Sequence, residues 1–154
     1  MDLTDLIGRQ DIYVPFKASC KKQVLQDLAS IAADKTGVSE REIFETLLER
    51  EKLGSTGVGN GIAIPHGKLK SLDKISGLVA FLEKPVDFDA MDDQPVDIVF
   101  LLLAPDMAGA DHLKALSRIA RVLREPDMLV KLRNSSDAES IHELLSLAQT
   151  SHAA

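Results

Sequence analysis

From Ile98 to Ala104 the chain carries no polar side chain, and this run constrains the fold more than any other stretch. It is far shorter than the ~20 residues a membrane-spanning helix needs. A strand with one wet face alternates apolar and polar residues, whereas an unbroken apolar run ending at Pro105 reads as a strand buried on both faces. Asp97 to Leu103 is therefore assigned as a central strand. A strand covered on both faces requires a layer of structure above it and another below.

The flanking segments supply those layers. Ile12-Tyr13-Val14-Pro15-Phe16 reads as a further strand, with Pro15 placing it at an edge or ending it, and Leu78 to Leu82 as another. Between Lys21 and Lys35, Val24, Leu28, Ile31 and Ala32 fall on one helical stripe, and Gly37 sits where a helix stops. Ser39 and Glu42 form a capping-box pattern for a second helix running to about Lys52, with Ile43, Phe44, Leu47 and Leu48 inward and Gly54 ending it. A third helix opens near His112, with Leu113, Leu116, Ala120 and Leu123 on its apolar face and Asp111 as its N-cap. Pro126 starts a short packing segment with Met128, Leu129 and Leu132. Ser136 and Glu139 cap a last helix carrying Ile141, Leu144, Leu145 and Ala148. Strands and helices alternate, so the expected fold is an α/β sandwich: a mixed β-sheet flanked by helices on both faces. The 154 residues fit one domain, 1–154, with an ordered core of about 5–148, a short amphipathic opening from Met1 to Gly8 and a frayed tail that includes His152. His142 is expected on the exposed face of the last helix.

Charge and cysteine content narrow the function. A formal net charge of −6 excludes the basic surplus of a nucleic-acid-binding face. Cys20 is the single cysteine, so no internal disulfide can form. The start at Met1-Asp2 lacks the basic and apolar regions of a signal peptide, and no stretch is suited to membrane insertion. The expected location is the cytoplasm.

Gly54 to Lys68 contains five of the nine glycines and is hard to explain by folding alone. Such a cluster signals positive φ angles or a backbone that must come close to something. Ile62-Ala63-Ile64 reads as a very short buried strand that Pro65 stops, leaving His66 at the strand end beside Gly67 and Lys68. Neutral imidazole is nucleophilic near neutral pH, so a histidine beside a cation suits attack on an anion. Two nucleotide-binding patterns fail here. A P-loop needs four residues before Gly-Lys and then Ser or Thr, but five separate Gly61 from Gly67 and Leu69 follows Lys68; Gly61 also arrives one position early for G-x-G-x-x-G. Between Lys84 and Pro95, two prolines and several aspartates match no oxygen-ligand loop and read as a solvated turn region. Spacing alone leaves Arg50 as either a site residue or a solvated C-terminal arginine, and favours a surface role for His112.

The block Leu53-Gly54-Ser55-Thr56-Gly57 through Asn60-Gly61-Ile62-Ala63-Ile64-Pro65-His66-Gly67-Lys68 resembles the phosphorylation site of IIA proteins of the bacterial phosphotransferase system, in the mannitol/fructose/nitrogen-regulatory superfamily. Glu83-Lys84-Pro85-Val86-Asp87-Phe88-Asp89-Ala90, Gln94-Pro95-Val96-Asp97 and the helix opening at His112 are similar to the nitrogen-regulatory branch, in the same order. The resemblance implies the mannitol/fructose-type IIA fold. It implies that His66 accepts a phosphoryl group, through Nε2, from a phosphorylated HPr-like carrier such as NPr, with Arg50 beside it and His112 facing it. Gly57, Gly59, Asn60, Gly61 and Gly67 are then expected to cradle the phosphoryl group through backbone N–H groups. This scheme calls for no metal and no cofactor. It describes a phosphotransferase component with a phosphohistidine intermediate, regulatory rather than metabolic, acting on targets such as kinases or potassium-transport regulators according to its phosphorylation state. No IIB or membrane segment is attached within these residues, which fits the regulatory expectation. Three alternatives stay open: a sugar-specific IIA subunit passing phosphate to a IIB domain; a metal-dependent hydrolase using His66, His112 and Asp111, which lack tight ligand spacing; and a purely structural interaction domain.

Overall fold

The computed structural model describes residues 3–152, and for 149–152 the backbone alone. In chain order the elements are α1 (Leu3–Leu6), β1 (Ile12–Phe16), α2 (Lys21–Thr36), α3 (Glu40–Lys52), β2 (Gly57–Gly59), β3 (Ile62–Ala63), β4 (His66–Leu69), β5 (Ser76–Val86), β6 (Val96–Pro105), α4 (Ala110–Leu123), α5 (Pro126–Arg133) and α6 (Ala138–His152). Met1 and the end of the expected frayed tail, Ala153 and Ala154, lie outside the described residues, as does the His152 side chain.

The apolar run is the centre of a six-stranded mixed sheet ordered β1-β5-β6-β3-β2, with β4 also pairing β6. On one side β6 meets β5 antiparallel; on the other it meets β3 and then β4, both parallel. Its side chains alternate between two cores. Val99, Leu101 and Leu103 pack with Val24, Leu28, Ile43 and Leu47 of α2 and α3. Ile98, Phe100 and Leu102 pack with Leu3, Ile119, Leu129 and Ile141, which come from α1, α4, α5 and α6. Helices thus cover both faces, and each fully buried Leu, Ile or Phe on this strand contributes about 1.5–3 kcal/mol. β1, which carries Pro15, is an edge strand pairing only β5 on the sheet path.

Several local expectations need correction. In α4, Leu116, Ala120 and Leu123 pack inward as expected, joined by His112, Ile119 and Val122, but Leu113 is 68% exposed. Gly109, not Asp111, holds the N-cap position, and no side chain caps that helix. At α6 the cap is Asp137, whose Oδ1 accepts from Ser140 N at 2.7 Å; Ser136 is one residue too early. This bond, then one from the Ser140 side chain, holds the Asp137 carboxyl below its usual range. His142 is half-buried rather than on a free face. The Lys84–Pro95 region is not simply solvated either: β5 runs on to Val86, and Phe88 is fully buried in the α2/α3 core.

Candidate functional site

Pro65 interrupts the sheet without ending it. β3 pairs Ile62 with Ile98, β4 pairs His66 with Leu102 at the same register, and Leu102 N donates to Pro65 O at 3.0 Å between them. His66 therefore opens β4 instead of closing the preceding strand, and is held along the backbone of the most buried strand in the molecule.

Two hydrogen bonds define its ring. Nδ1 lies 2.8 Å from Ile64 O, and Arg50 Nε lies 3.2 Å from Nε2. A carbonyl can only accept and a guanidinium can only donate. Both contacts therefore require the same tautomer, with the proton on Nδ1 and the lone pair on Nε2. Arg50 is in the last turn of α3, and its Nη1 donates to Gly54 O at 2.9 Å. The guanidinium is stretched between a loop carbonyl and the imidazole.

His112 faces this pair. The two imidazole centroids are 5.7 Å apart, with the rings tilted by 58°. His112 is 6% exposed, and its Nε2 is a buried nitrogen without a hydrogen-bond partner. Burial first, then the nearby His66 and Lys68, lower its pKa below the usual 6.5. At neutral pH it is an uncharged ring at the first turn of a helix, so the surface role that spacing favoured does not apply. The sign of the pH effect follows: unfolded His112 binds a proton near pH 6.5, and the folded ring resists it. Stability should fall as pH drops from 6.5 through the folded value, and less so in His112→Gln; urea denaturation at pH 7.5 and 5.5 measures the difference.

The glycines have a different use from the expected cradle. Asn60 and Gly61 have φ of 58° and 80°, the positive pair of a tight hairpin turn joining β2 to β3. Gly61 O accepts from Asp97 N and Ile98 N at the start of β6, whereas His66 pairs near its end. Five residues of strand at about 3.3 Å each put this turn roughly 16 Å from His66. Asn60 N is already bonded to Asp92 Oδ2 at 2.9 Å, Gly57 N to Ser55 Oγ at 3.0 Å, and Gly59 belongs to the same hairpin. A Cβ at Gly61 would strike Arg133 Nη2, which with Asp97 clamps the turn. Gly67 does belong to the site, but through packing: a Cβ there would stand 2.7 Å from Thr46 Cγ2 of α3, one turn before Arg50. Its bareness lets α3 lie close enough for Arg50 to reach His66. Gly67→Ala should cost about 1–3 kcal/mol in thermal unfolding by overpacking, and adding Thr46→Ala should recover most of it.

Sequence reasoning missed three buried or half-buried polar groups behind the site. Glu51 accepts from Thr56 N at 3.2 Å, is bonded closely to Thr56 Oγ1, and pairs with Lys21 Nζ at 2.8 Å. Lys21 is thirty residues away from Glu51, so no local pattern announces the pair; the signal that existed was a glutamate and a threonine flanking Gly54.

With this geometry in place, similarity to known proteins is informative. The family described as phosphoenolpyruvate-dependent sugar phosphotransferase system, EIIA 2, matches residues 5–147. A nitrogen regulatory protein of Bradyrhizobium diazoefficiens is 59% identical over 147 residues, covering 96% of each chain. The crystal structure of the nitrogen regulatory protein IIA-Ntr from Neisseria meningitidis superposes with a TM-score of 0.89 at 32% identity, over 93% of this chain and 98% of that one. The Escherichia coli mannitol IIA protein, solved in complex with phosphorylated enzyme IIB, shares the fold with a TM-score of 0.78 at 20% identity, over 91% and 96% of the two chains. Among the described residues no helix is long and apolar enough to cross a membrane. The chain belongs to the EIIA 2 family of the phosphoenolpyruvate-dependent phosphotransferase system, and within it is a homologue of the nitrogen regulatory proteins.

Proposed function

We propose that this protein is a phosphocarrier of the nitrogen-type phosphotransferase chain, which accepts a phosphoryl group on His66 from a phosphorylated HPr-like carrier (NPr) and regulates partner proteins according to its phosphorylation state. The observation that carries the reading is the ring geometry of His66, with Nδ1–H held on Ile64 O and the Nε2 lone pair under a guanidinium. In the transfer, the Nε2 lone pair attacks phosphorus, the N–P bond of the donor breaks, and its electron pair returns to the donor's ring nitrogen. The proton stays on Nδ1 throughout, donated to Ile64 O.

Arg50 follows the phosphoryl group from Nε2 to its oxygens, tethered by Gly54 O, and its planar donors match the charge spread over them. The unpartnered His112 Nε2 is the second donor: protonated there, the neutral ring gives its N–H to a phosphoryl oxygen and gains the partner it lacks. The N–H groups of Gly57, Asn60 and Gly61 take no part in this scheme.

The phosphate adds about −1.5 to −2 charge, as for other phospho-residues. Ile62 and Ile64 are buried, so the apolar side chains open to a partner are Val58, Leu53, three residues after Arg50, and Leu113, beside His112, which are 53%, 84% and 68% exposed. A target resting on these side chains loses affinity when the charge arrives, and one presenting arginine gains it. Incubation with phosphoenolpyruvate and the two upstream components of the nitrogen-type chain should add one phosphoryl group by intact mass. Single-turnover mixing of the phosphorylated protein with purified sugar-specific IIB domains should then show slow discharge. Rapid, complete discharge to one of them would replace the regulatory reading by a sugar-transport IIA role.

A further inference from the structure

Arg50 and His66 come from different elements, α3 and β4, and neither element by itself sets the distance between them. Thr56 connects the two. On one side its N–H and hydroxyl both meet the carboxylate of Glu51, the residue after Arg50. This closes the segment 51–56 into a loop that contains Gly54, whose carbonyl anchors Arg50 Nη1. On the other side, Thr56 O accepts from Ile64 N at 2.9 Å. Ile64 is the residue whose carbonyl holds His66 Nδ1. Thr56 is 3% exposed and the Glu51 side chain 6% exposed, and Lys21 Nζ neutralises the carboxylate while lying 4.9 Å over the Phe88 ring.

We infer that Glu51 and Thr56, charge-balanced by Lys21, are positioning residues that set the guanidinium of Arg50 on His66 Nε2. The inference rests on the phosphocarrier reading for its kinetic consequence and on geometry alone for its spectroscopic one. A carboxylate buried this deeply is costly unless it is fully bonded. Here two of its bonds go from α3 to Thr56, whose carbonyl holds Ile64 N, and the third goes to one cation. Losing the clamp frees Gly54 O to move, and a displacement of about 1 Å at a reacting group is worth up to ~10²-fold in rate.

The test compares Thr56→Val, which keeps the shape and removes the hydroxyl donor, with Thr56→Ser, which retains it. A double variant, Lys21→Met with Glu51→Gln, removes both charges together so that no buried ion is left unpaired. Solvent exchange of the Arg50 Nε–H, followed by NMR without any phosphoryl donor, should be slow in the natural protein and Thr56→Ser, and at least ~10-fold faster in Thr56→Val and the double variant. Phosphorylation by the carrier should slow by about 10-fold in kcat with KM nearly unchanged. In an Arg50→Ala background, Thr56→Val should change kcat by less than about twofold, because the residue it positions is gone. Unchanged Nε–H exchange in folded Thr56→Val and double-variant proteins overturns the inference whatever the kinetics show. Faster exchange in a protein that no carrier phosphorylates would leave the clamp standing and overturn the phosphocarrier reading instead.

Discussion

His66→Ala should fold and accept no phosphoryl group. The imidazole is half-buried and makes two hydrogen bonds, to Ile64 O and from Arg50, so its removal should cost roughly 1–3 kcal/mol. Transfer should depend on it completely, because no other imidazole among the described hydrogen bonds pairs its lone pair with a guanidinium donor. The other ring at the site, His112, is buried with its Nε2 enclosed. Intact-mass measurement after incubation with the phosphorylated carrier should show the phosphoryl adduct in the natural protein alone, acid-labile and alkali-stable as a phosphoramidate is. A thermal melt checks that the variant is folded. Labelling of folded His66→Ala would move the acceptor elsewhere.

Arg50 should be the next most sensitive position. In Arg50→Ala, the donor on Nε2 and the tether to Gly54 O disappear together, and loss of one preorganised donor typically costs ~10²–10³-fold in kcat. Arg50→Lys separates charge from shape. A lysine restores the positive charge but cannot donate along two fixed directions from one plane, so it should recover only part of the rate. His112→Ala should slow transfer by about 10-fold, since it removes a neutral donor and not a cation. Stopped-flow or quenched single-turnover phosphorylation measures all three. Natural rates in folded Arg50→Ala would return Arg50 to the part of a helix-terminal arginine in contact with solvent.

The parts of this architecture written in local pattern were legible: the apolar run of β6, the stripe and stop of α2, the N-cap of α3 and the proline on an edge strand. Ser39 Oγ does accept from Glu42 N, at 3.4 Å. What misled was the assumption that neighbours in sequence are neighbours at the site. Asn60 and Gly61 are five or six residues from His66, and in an extended strand that separation is many ångströms, whereas His112 is forty-six residues away and in ring contact. The first turn of α4 was misjudged for a related reason. Counting leucines put Leu113 inward together with Leu116, Ala120 and Leu123, but the inward position at the first turn is taken by His112. Asp92 fell within the stretch read as a solvated turn because its partner, Asn60 N, is a main-chain atom that no residue pattern encodes.

The bond from His66 Nδ1 to Ile64 O places the choice of tautomer on the main chain. Many histidines are oriented by a carboxylate, which titrates and can be deleted by one substitution. A peptide carbonyl does neither. The acceptor that orients His66 is therefore not itself titratable, and every side-chain substitution at position 64 leaves that oxygen in place. An alanine scan of the site would rank Arg50 and His112 and assign nothing to residue 64. The contribution would emerge only from atom-level editing of the backbone, such as a thioamide at Ile64, which weakens the acceptor while keeping every side chain.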